Sequence, residues 1–356
     1  MEQKWESGVA NSPKFGAKEQ IRQQRRRFRR SILFFGLLSL AFFFLSVIIG
    51  RAGITNPVLV IKALIGKTDE YSQMLRILQN IRIPRACAAF MVGACLSVSG
   101  LVYQTTFNNK LVSPDILGVG SGCCVGAGIA ILMGLPSGMI RLLAFVFGFV
   151  AVLIAISLPK LFRNHSALTL VLSGIIVGSF MDSVLALIKY VADRHEKLAD
   201  IIFWIMGSLV GIQFDEFFTS FAICVIPLIV LIIMGWRINV ISLGREEAQS
   251  LGVNYKASRL IIIACATLLT ANCVSICGNV GWVGLVIPHI ARAFVGDDVR
   301  LSMPLSALCG GLFLLMVDTL SRLISVNEIP LSIITGFVGA LIYTIVLAKR
   351  GRYINE

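Results

Sequence analysis

The stretch that decides the fold is GNVGWVGLVIPHIARAFVGDDVR, which runs from Gly278 to Arg300. It places four glycines, a proline, a histidine and two arginines inside a chain that is otherwise strongly apolar. A plain membrane helix would carry leucines at such positions. We therefore expect this stretch to do more than fill the membrane with apolar side chains.

Small residues and a proline set the geometry of this stretch. Three of its glycines recur every third residue, at Gly278, Gly281 and Gly284. Such spacing lets another backbone approach one side of a helix closely. Pro288 favours a break or kink, which membrane depth tolerates only where protein or water satisfies the freed backbone groups. The simpler alternative is a kinked, tightly packed helix with His289 and Arg292 at the aqueous boundary.

The composition is that of a polytopic membrane protein. The chain has 356 residues, of which 56% are hydrophobic and 14% charged, and its mean hydropathy is +0.85. Because roughly 20 apolar residues cross a bilayer, the length leaves room for about ten spans. The predicted fold class is therefore all-α, with short loops between transmembrane helices.

Apolar runs give the expected positions of the spans. They are residues 31–50, 85–104, 115–134, 137–158, 168–191, 217–236, 260–278, 282–295, 304–324 and 331–348. The third and eighth spans are rich in glycine and weakly bounded. Residues 51–80 form a polar segment expected outside the membrane, and the apolar piece with Trp204 and Gly207 is too short to cross.

Basic residues indicate the orientation. A net charge of +13 would suggest a nucleic-acid partner for a soluble protein, but here most Lys and Arg fall at span ends or in the tail that ends at Arg30. A basic cluster directly before a span typically anchors that end in the cytoplasm against anionic lipid. We expect no nucleic-acid partner, a cytoplasmic tail at 1–30, a membrane domain at 31–349 and a second cytoplasmic tail at 350–356.

Two blocks of motifs resemble a known family. The first is Gly281-x-x-Gly284 with Pro288-His289-x-x-Arg292 and Gly296-Asp297-Asp298; the second runs from Arg82 to Gly122. Both are similar to the FecCD family, the permeases of type II ABC importers for iron-siderophores, haem and vitamin B12. The resemblance covers residue 81 to the C-terminus. It implies the type II importer permease fold, in the inner membrane of a bacterium, with both termini in the cytoplasm.

The loop at 237–258 resembles the coupling helix by which such permeases contact their ATPase subunits. The matching residues are Gly244, Glu246, Glu247, Ala248, Leu251 and Gly252. A surface helix between two spans is the alternative. The chain contains no G-x-x-x-x-G-K-[ST] phosphate loop, so ATP and Mg are expected on the partner ATPase. We expect no cofactor, catalytic residue or metal site here, and we interpret the nine cysteines as small buried residues.

Arginines expected outside the membrane run against the usual charge bias. By resemblance, Arg82, Arg85 and Arg322 would dock glutamates of an extracytoplasmic substrate-binding protein. Guanidinium groups suit such pairing with carboxylates. The alternative is a local pair between Asp318 and Arg322, which lie four residues apart on one helix face.

Gate and pathway residues follow from the same resemblance. Asn109 and Leu111 match a segment that closes the pathway at its cytoplasmic end, although Lys110 stands where the family usually has proline. Ser166 would belong to a second gate. The fifth and tenth spans would line the pathway at a dimer axis, with Ser173 and Thr335 equally suited to helix packing. Asp182 should face a cavity or a subunit interface, since charge is costly in lipid.

The expected function is that of a permease subunit, paired with an identical or a sister permease, that moves ferric-siderophore complexes inward. Haem or vitamin B12 import is the alternative within the family. A secondary transporter is the rival from another class. It would need intramembrane carboxylates to carry the driving ion, and Asp182 and Asp318 are the candidates.

Overall fold

The chain is almost entirely helical. The computed structural model describes residues 13–50, 53–58, 60, 73–161, 167–193, 196–325 and 328–354. Its helices are α1 (Pro13–Ile48), α2 (Gln73–Thr106), α3 (Val119–Leu132), α4 (Ser137–Leu161), α5 (Ala167–Val191), α6 (Lys197–Met206), α7 (Phe214–Ile233), α8 (Gly235–Ile241), α9 (Arg245–Ser250), α10 (Tyr255–Cys277), α11 (Val283–Val295), α12 (Val299–Ile324) and α13 (Leu331–Ile354). After α1, the two-residue strands β1 (Ile49–Gly50) and β2 (Gly53–Ile54) pair antiparallel.

Ten of these helices account for the expected spans. Within the described residues, seven are long and apolar enough to cross a bilayer, and α3, α11 and the first part of α13 are shorter apolar helices. The predicted all-α polytopic fold is therefore confirmed. Helix α6 has only ten residues, as expected for the short apolar piece with Trp204.

Several helix ends differ from the predicted spans because polar caps and turns set them. Helix α12 begins at Val299, before the predicted start at 304, because the Asp298 side chain accepts a hydrogen bond from the Arg300 N–H and caps the helix. Helix α3 begins only at Val119, because the preceding residues form turns. Polar capping and turn residues lie outside the apolar run, so hydropathy alone misplaces such ends.

Helix α2 shows the largest difference. It begins at Gln73, within the segment predicted to be a polar loop, and its π-helical turn at Leu78–Arg82 lies directly before Pro84. A proline ring clashes with the carbonyl four residues earlier. A π-helical turn is one way in which a helix accommodates such a disruption. The predicted span begins at residue 85, whereas the helix begins earlier and continues through Pro84.

The core is built around α2, α10 and α12, which are mostly buried, while α1, α4, α5 and α7 expose broad apolar faces. Helices α2 and α12 cross at Gly93 and Gly310, where a Cβ on either residue would overlap the other backbone. Helices α2 and α11 also approach closely, because a Cβ on Gly100 would overlap the Gly284 carbonyl and one on Gly284 would overlap the Leu96 carbonyl. Because lipid is as apolar as the helix surfaces, the hydrophobic effect does not drive helices together in a membrane. Close packing at small residues such as these glycines stabilises the helix pairs instead.

The contacts between helices define two ends of the molecule. At one, which we call the gate end, the gate loop (107–118) meets the last turn of α11, and Gln24 of α1 donates to the Val295 carbonyl at 3.0 Å. At the other, the distal end, Ser46 of α1 lies against Arg322 of α12, with Nη2 to Oγ at 2.8 Å.

Candidate coupling and gate site

Helix α11 runs unbroken through Pro288, and another helix satisfies the carbonyl that the proline frees. Pro288 has no N–H to donate to Gly284, four residues earlier. The Gln104 Nε2 of α2 instead donates to the Gly284 carbonyl at 3.3 Å and to the Leu285 carbonyl at 3.1 Å. This is the compensation expected for a proline at membrane depth.

The glycine stripe is only partly a packing face. A Cβ on Gly284 would overlap the Pro114 ring, and one on Gly278 would overlap the Trp204 carbonyl. No described atom lies within 4 Å of the position that a Cβ on Gly281 would take. The prediction that all three glycines pack closely is therefore wrong for Gly281. The three glycines do not share one helix face, because α11 begins only at Val283.

Arg292 joins α11 to α2. Its Nη1 donates to the Gln104 Oε1 at 2.6 Å, and the residue is only 7% exposed. The Gln104 amide therefore accepts from Arg292 while it donates to the proline-freed carbonyl. A hydrogen bond to a charged donor is stronger than a neutral one, so this contact fixes the last turn of α11 against α2.

The gate loop is held at two points, one on α11 and one on the residues that follow it. The His289 Nε2 lies 2.9 Å from the Lys110 carbonyl oxygen, and the Lys110 Nζ lies 2.9 Å from the Asp297 Oδ1. Within the loop, the Asn109 Oδ1 accepts from the Leu111 N–H at 2.9 Å, and the Leu111 side chain is exposed. Lys110 stands where a family proline is usual, and its ammonium group supplies an ionic contact that a proline could not make.

Asp298, which follows α11, is hydrogen-bonded to α8, the helix before α9. The Asn239 Nδ2 of α8 donates to the Asp298 Oδ1 at 2.7 Å, and the Asn239 Oδ1 accepts from the Val299 N–H at 2.9 Å. Burial opposes ionisation of Asp298, but hydrogen bonds from Arg300 and Asn239 outweigh it and lower the pKa of its carboxyl group. Adjacent aspartates, Asp297 and Asp298, thus connect the gate loop on one side and α8 on the other.

Helix α9 is a surface helix with one buried side chain. Ala248 is fully buried against Val240 and Val253. The side chains of Glu246, Glu247 and Leu251 are exposed, and Leu251 is 53% exposed. The helix is bounded by Gly244 with φ of 120° and Gly252 with φ of 76°, a region of backbone conformation that favours glycine.

A cavity of about 350 Å³ lies beside the gate loop. Its walls come from the gate loop, α2, α10, the start of α11 with the residues before it, and α13. They include Asp115, Thr270, Trp282 and Ser332. Asp115 is the charged residue among the described lining residues, and its Oδ1 already accepts from the Gly120 N–H at the start of α3. Trp282 has a φ of 70°, which is uncommon for a non-glycine residue and marks a constrained position.

The three arginines expected to dock a binding protein are buried at the distal end. Arg85 makes a bidentate pair with Glu328, at 2.9 and 2.7 Å, and its Nε lies 2.8 Å from the Asp318 Oδ1. Arg322 pairs with Asp318 at 3.2 Å, which is the local pair considered as the alternative. Arg82 donates to the Val47 and Ile48 carbonyls at 3.0 and 2.8 Å. These guanidinium groups hold helices together and are not presented at the surface, so docking stays a prediction.

Asp182 is exposed, whereas Ser173 and Thr335, the other residues predicted to line the pathway at the dimer axis, are buried. Ser173 is 2% exposed and donates to the Thr169 carbonyl, and Thr335 is fully buried. Both therefore have the helix-packing environment considered as the alternative. Asp182 lies on the exposed face of α5 together with Ser179 and Ser183. The second predicted gate residue, Ser166, lies outside the described residues.

Sequence reasoning missed Asn239 and Glu328 as site residues. Neither belongs to a motif that was recognised, and each acquires a role only through a partner far along the chain. Glu328 lies in a loop. Its partner Arg85 lies at the end of a predicted span, where an arginine needs a carboxylate partner, and this could have indicated an acidic residue such as Glu328 nearby in the fold. Asn239 carries no comparable signal.

Together, these features define a polytopic helical membrane protein. A proline-containing helix and the two aspartates after it contact both the gate loop and the helix that precedes a surface helix. Residues 37–349 match the model of the FecCD transport family, and the chain belongs to that family, the permeases of type II ABC importers. It is similar to the molybdate import system permease protein MolB of Haemophilus influenzae, at 35% identity over 86% of this chain and 92% of that protein. It is also similar to a probable iron chelatin transport system permease protein of Helicobacter pylori, at 36% identity over 76% of this chain and 82% of that one.

A solved structure agrees with the fold. It is described as an inward-facing conformation of a metal-chelate type ABC transporter. The TM-score is 0.82 at 33% identity, and the match covers 90% of this chain and 99% of the other. These relatives are transport components, and family membership disfavours the ion-coupled rival. Asp318, one of its two candidate carboxylates, is paired with Arg85 and Arg322.

Proposed function

We propose that this chain is the permease through which an ATP-driven importer moves an iron chelate, most simply a ferric siderophore, into the cytoplasm. The observation that carries the proposal is the link through Asp297 and Asp298. Lys110 of the gate loop binds the first aspartate and Asn239 of α8 binds the second. A push on the α8–α9 segment would therefore reach the gate loop through two adjacent residues.

The energy would come from partner subunits that carry ATP and Mg. We propose that the exposed face of α9 sits in a cleft of the ATPase. This face presents Glu246, Glu247 and the adjacent Leu251, while Ala248 is buried beneath it. An exposed apolar side chain next to charged ones suits a protein interface. Gly244 and Gly252 would set the angle at which this helix is presented.

A second permease copy, or a sister permease, would cover the exposed face of α5. Asp182 lies on that face, and a charged side chain in the middle of a span avoids lipid. The basic first turns of α1 favour a cytoplasmic gate end. An extracytoplasmic binding protein would then deliver the substrate to the distal end in a bacterial inner membrane.

The cavity favours a chelate over a bare oxyanion. Its described lining combines apolar side chains with hydroxyl and amide groups and the Asp115 carboxylate. A molybdate ion, as in the name of one relative, would prefer arginine or backbone N–H donors and would be repelled by Asp115. Haem and vitamin B12 remain the alternatives within the family.

The test is the ATPase activity of a reconstituted complex of this chain with its partner ATPase and binding protein. The binding protein is loaded in turn with a ferric siderophore, haem, cobalamin or molybdate. We expect stimulation by the ferric siderophore, and stimulation by another ligand alone would overturn the substrate assignment. Glu247→Arg should abolish ATPase association, whereas Glu19→Arg, an exposed charge reversal on α1, should not. Association that survives Glu247→Arg would contradict the proposed α9 interface.

A further inference from the structure

Three cysteine thiols from three different helices meet in the core. Cys95 of α2, Cys224 of α7 and Cys273 of α10 are all buried, and their Sγ atoms lie within 4.8 Å of one another. They are far apart along the chain, so sequence spacing gives no sign of the cluster. The gate and coupling contacts described above use none of them.

The spacing of the sulfurs is close to that of a three-coordinate metal site. At a metal–sulfur bond of about 2.3 Å, three sulfurs placed 120° apart around one ion are about 4 Å from each other. The thiols would therefore need to close by less than about 1 Å. A rotation about χ1 of one or two of the cysteines would supply such a shift without moving a helix.

The surroundings favour one sulfur as an anionic ligand. The Asn272 Nδ2 lies 3.0 Å from the Cys224 Sγ, and it contacts Ser220 at both the hydroxyl oxygen (2.6 Å) and the carbonyl oxygen (3.0 Å). A hydrogen bond donated to sulfur stabilises its thiolate form. The Ser220 contact fixes the orientation of the amide, so the donor is held in place before any ion arrives.

The number and the type of the ligands select the ion. Sulfur ligands select soft ions such as Cu(I). Structural Zn²⁺ sites take four ligands, whereas the cluster among the described residues offers three sulfurs. Cysteine binds a metal as its thiolate, so each sulfur that binds Cu(I) releases its proton, and full coordination releases three protons.

We propose that Cys95, Cys224 and Cys273 form a buried binding site for Cu(I), with Asn272 orienting the Cys224 sulfur. The site would join α2, α7 and α10 at one point. It is separate from the proposed transport function, because its residues lie outside the gate loop, α9 and the cavity lining. The opposing account is that the three thiols only fill space.

The test is anaerobic titration of the reduced, full-length protein in detergent with Cu(I), in competition with a bathocuproine chelator. We expect one Cu(I) per chain that the chelator removes slowly, with X-ray absorption showing three sulfur neighbours at about 2.3 Å. Cys95→Ser, Cys224→Ser and Cys273→Ser should each lose this ion. Cys124→Ser is the matched control, since Cys124 is equally buried but lies in a different apolar cluster.

Two results would overturn the proposal. One is wild-type protein that retains no copper against the chelator. The other is retention of one copper by Cys224→Ser at the wild-type level. Size-exclusion profiles of the variants show whether each is folded, and the wild-type absorption spectrum decides the matter even if a variant fails to fold. Asn272→Leu should weaken Cu(I) binding by about 10- to 100-fold, the usual effect of losing a partner that orients a ligand.

Discussion

At the residue scale, the side-chain amide of Gln104 forms hydrogen bonds with two groups of α11. Its nitrogen donates to the Gly284 carbonyl, and its oxygen accepts from Arg292. All three positions belong to motifs that the sequence already marked. The motif blocks at 82–122 and 278–300 are therefore two halves of one contact between α2 and α11.

Gln104→Leu should destabilise the protein. Leucine fills a similar volume but leaves the buried Gly284 carbonyl without this donor, and it removes one acceptor from the Arg292 guanidinium. An unsatisfied buried group costs about 1–3 kcal/mol. The midpoint of chemical unfolding in detergent should fall, whereas Gln23→Leu on the exposed face of α1 should leave it unchanged. Equal midpoints for the two variants would contradict the role given to Gln104.

At the element scale, the signature stretch positions α11 against α2 and the gate loop. The sequence predicted the presence and order of the transmembrane helices, because apolar runs of sufficient length are a direct physical signal. It failed at α2, where polar residues from Gln73 onward continue the helix. Hydropathy reports the apolar part of a helix and not its end.

The candidate site was predictable only in part. The motifs identified α9, the gate loop and α11, but not the ion pairs between them, since Lys110 and Asp297 meet only in the folded chain. The arginines at the distal end illustrate the opposite problem. Their residue type suggested an exposed docking role, whereas Arg85 and Arg322 pair with carboxylates of α12 and the following loop, and Arg82 pairs with backbone carbonyls of α1.

Gly284→Ala should separate α11 from its neighbours. The added methyl group would overlap the Pro114 ring and the Leu96 carbonyl, and overpacking of this kind costs about 1–3 kcal/mol. Gly281→Ala is the matched control within the same stretch, because no described atom lies within 4 Å of the added Cβ. Thermal unfolding should show a lower midpoint for Gly284→Ala only. A comparable loss in Gly281→Ala would mean that the stretch is sensitive to any substitution.

At the scale of the whole molecule, the exposed faces differ in chemistry. The face of α7 is apolar, whereas the face of α5 places Asp182 beside Ser179 and Ser183. Lipid can cover the apolar face of α7 without a free-energy cost. The face of α5 is better suited to a partner permease or to a water-filled pathway, because a carboxylate at membrane depth costs about 2.5–3.5 kcal/mol.

Cross-linking should distinguish these faces. Ser179→Cys on α5 should form a covalent dimer with a bismaleimide in native membranes, either with itself or with a co-expressed sister permease. Ile229→Cys on the exposed face of α7 should remain monomeric under the same conditions. If Ile229→Cys forms dimers and Ser179→Cys does not, the subunit interface lies at α7, which would contradict the proposed interface at α5.

The most direct test of the account is the amount of substrate imported per ATP hydrolysed by reconstituted Asn239→Leu protein. This substitution removes the bonds from α8 to Asp298 and to the Val299 N–H, while the exposed α9 surface stays intact. The control is Arg237→Gln, an exposed change on the same helix. We expect Asn239→Leu to hydrolyse ATP at nearly the wild-type rate but to import less substrate per ATP. An unchanged ratio would contradict the claim that Asp297 and Asp298 link the coupling segment to the gate.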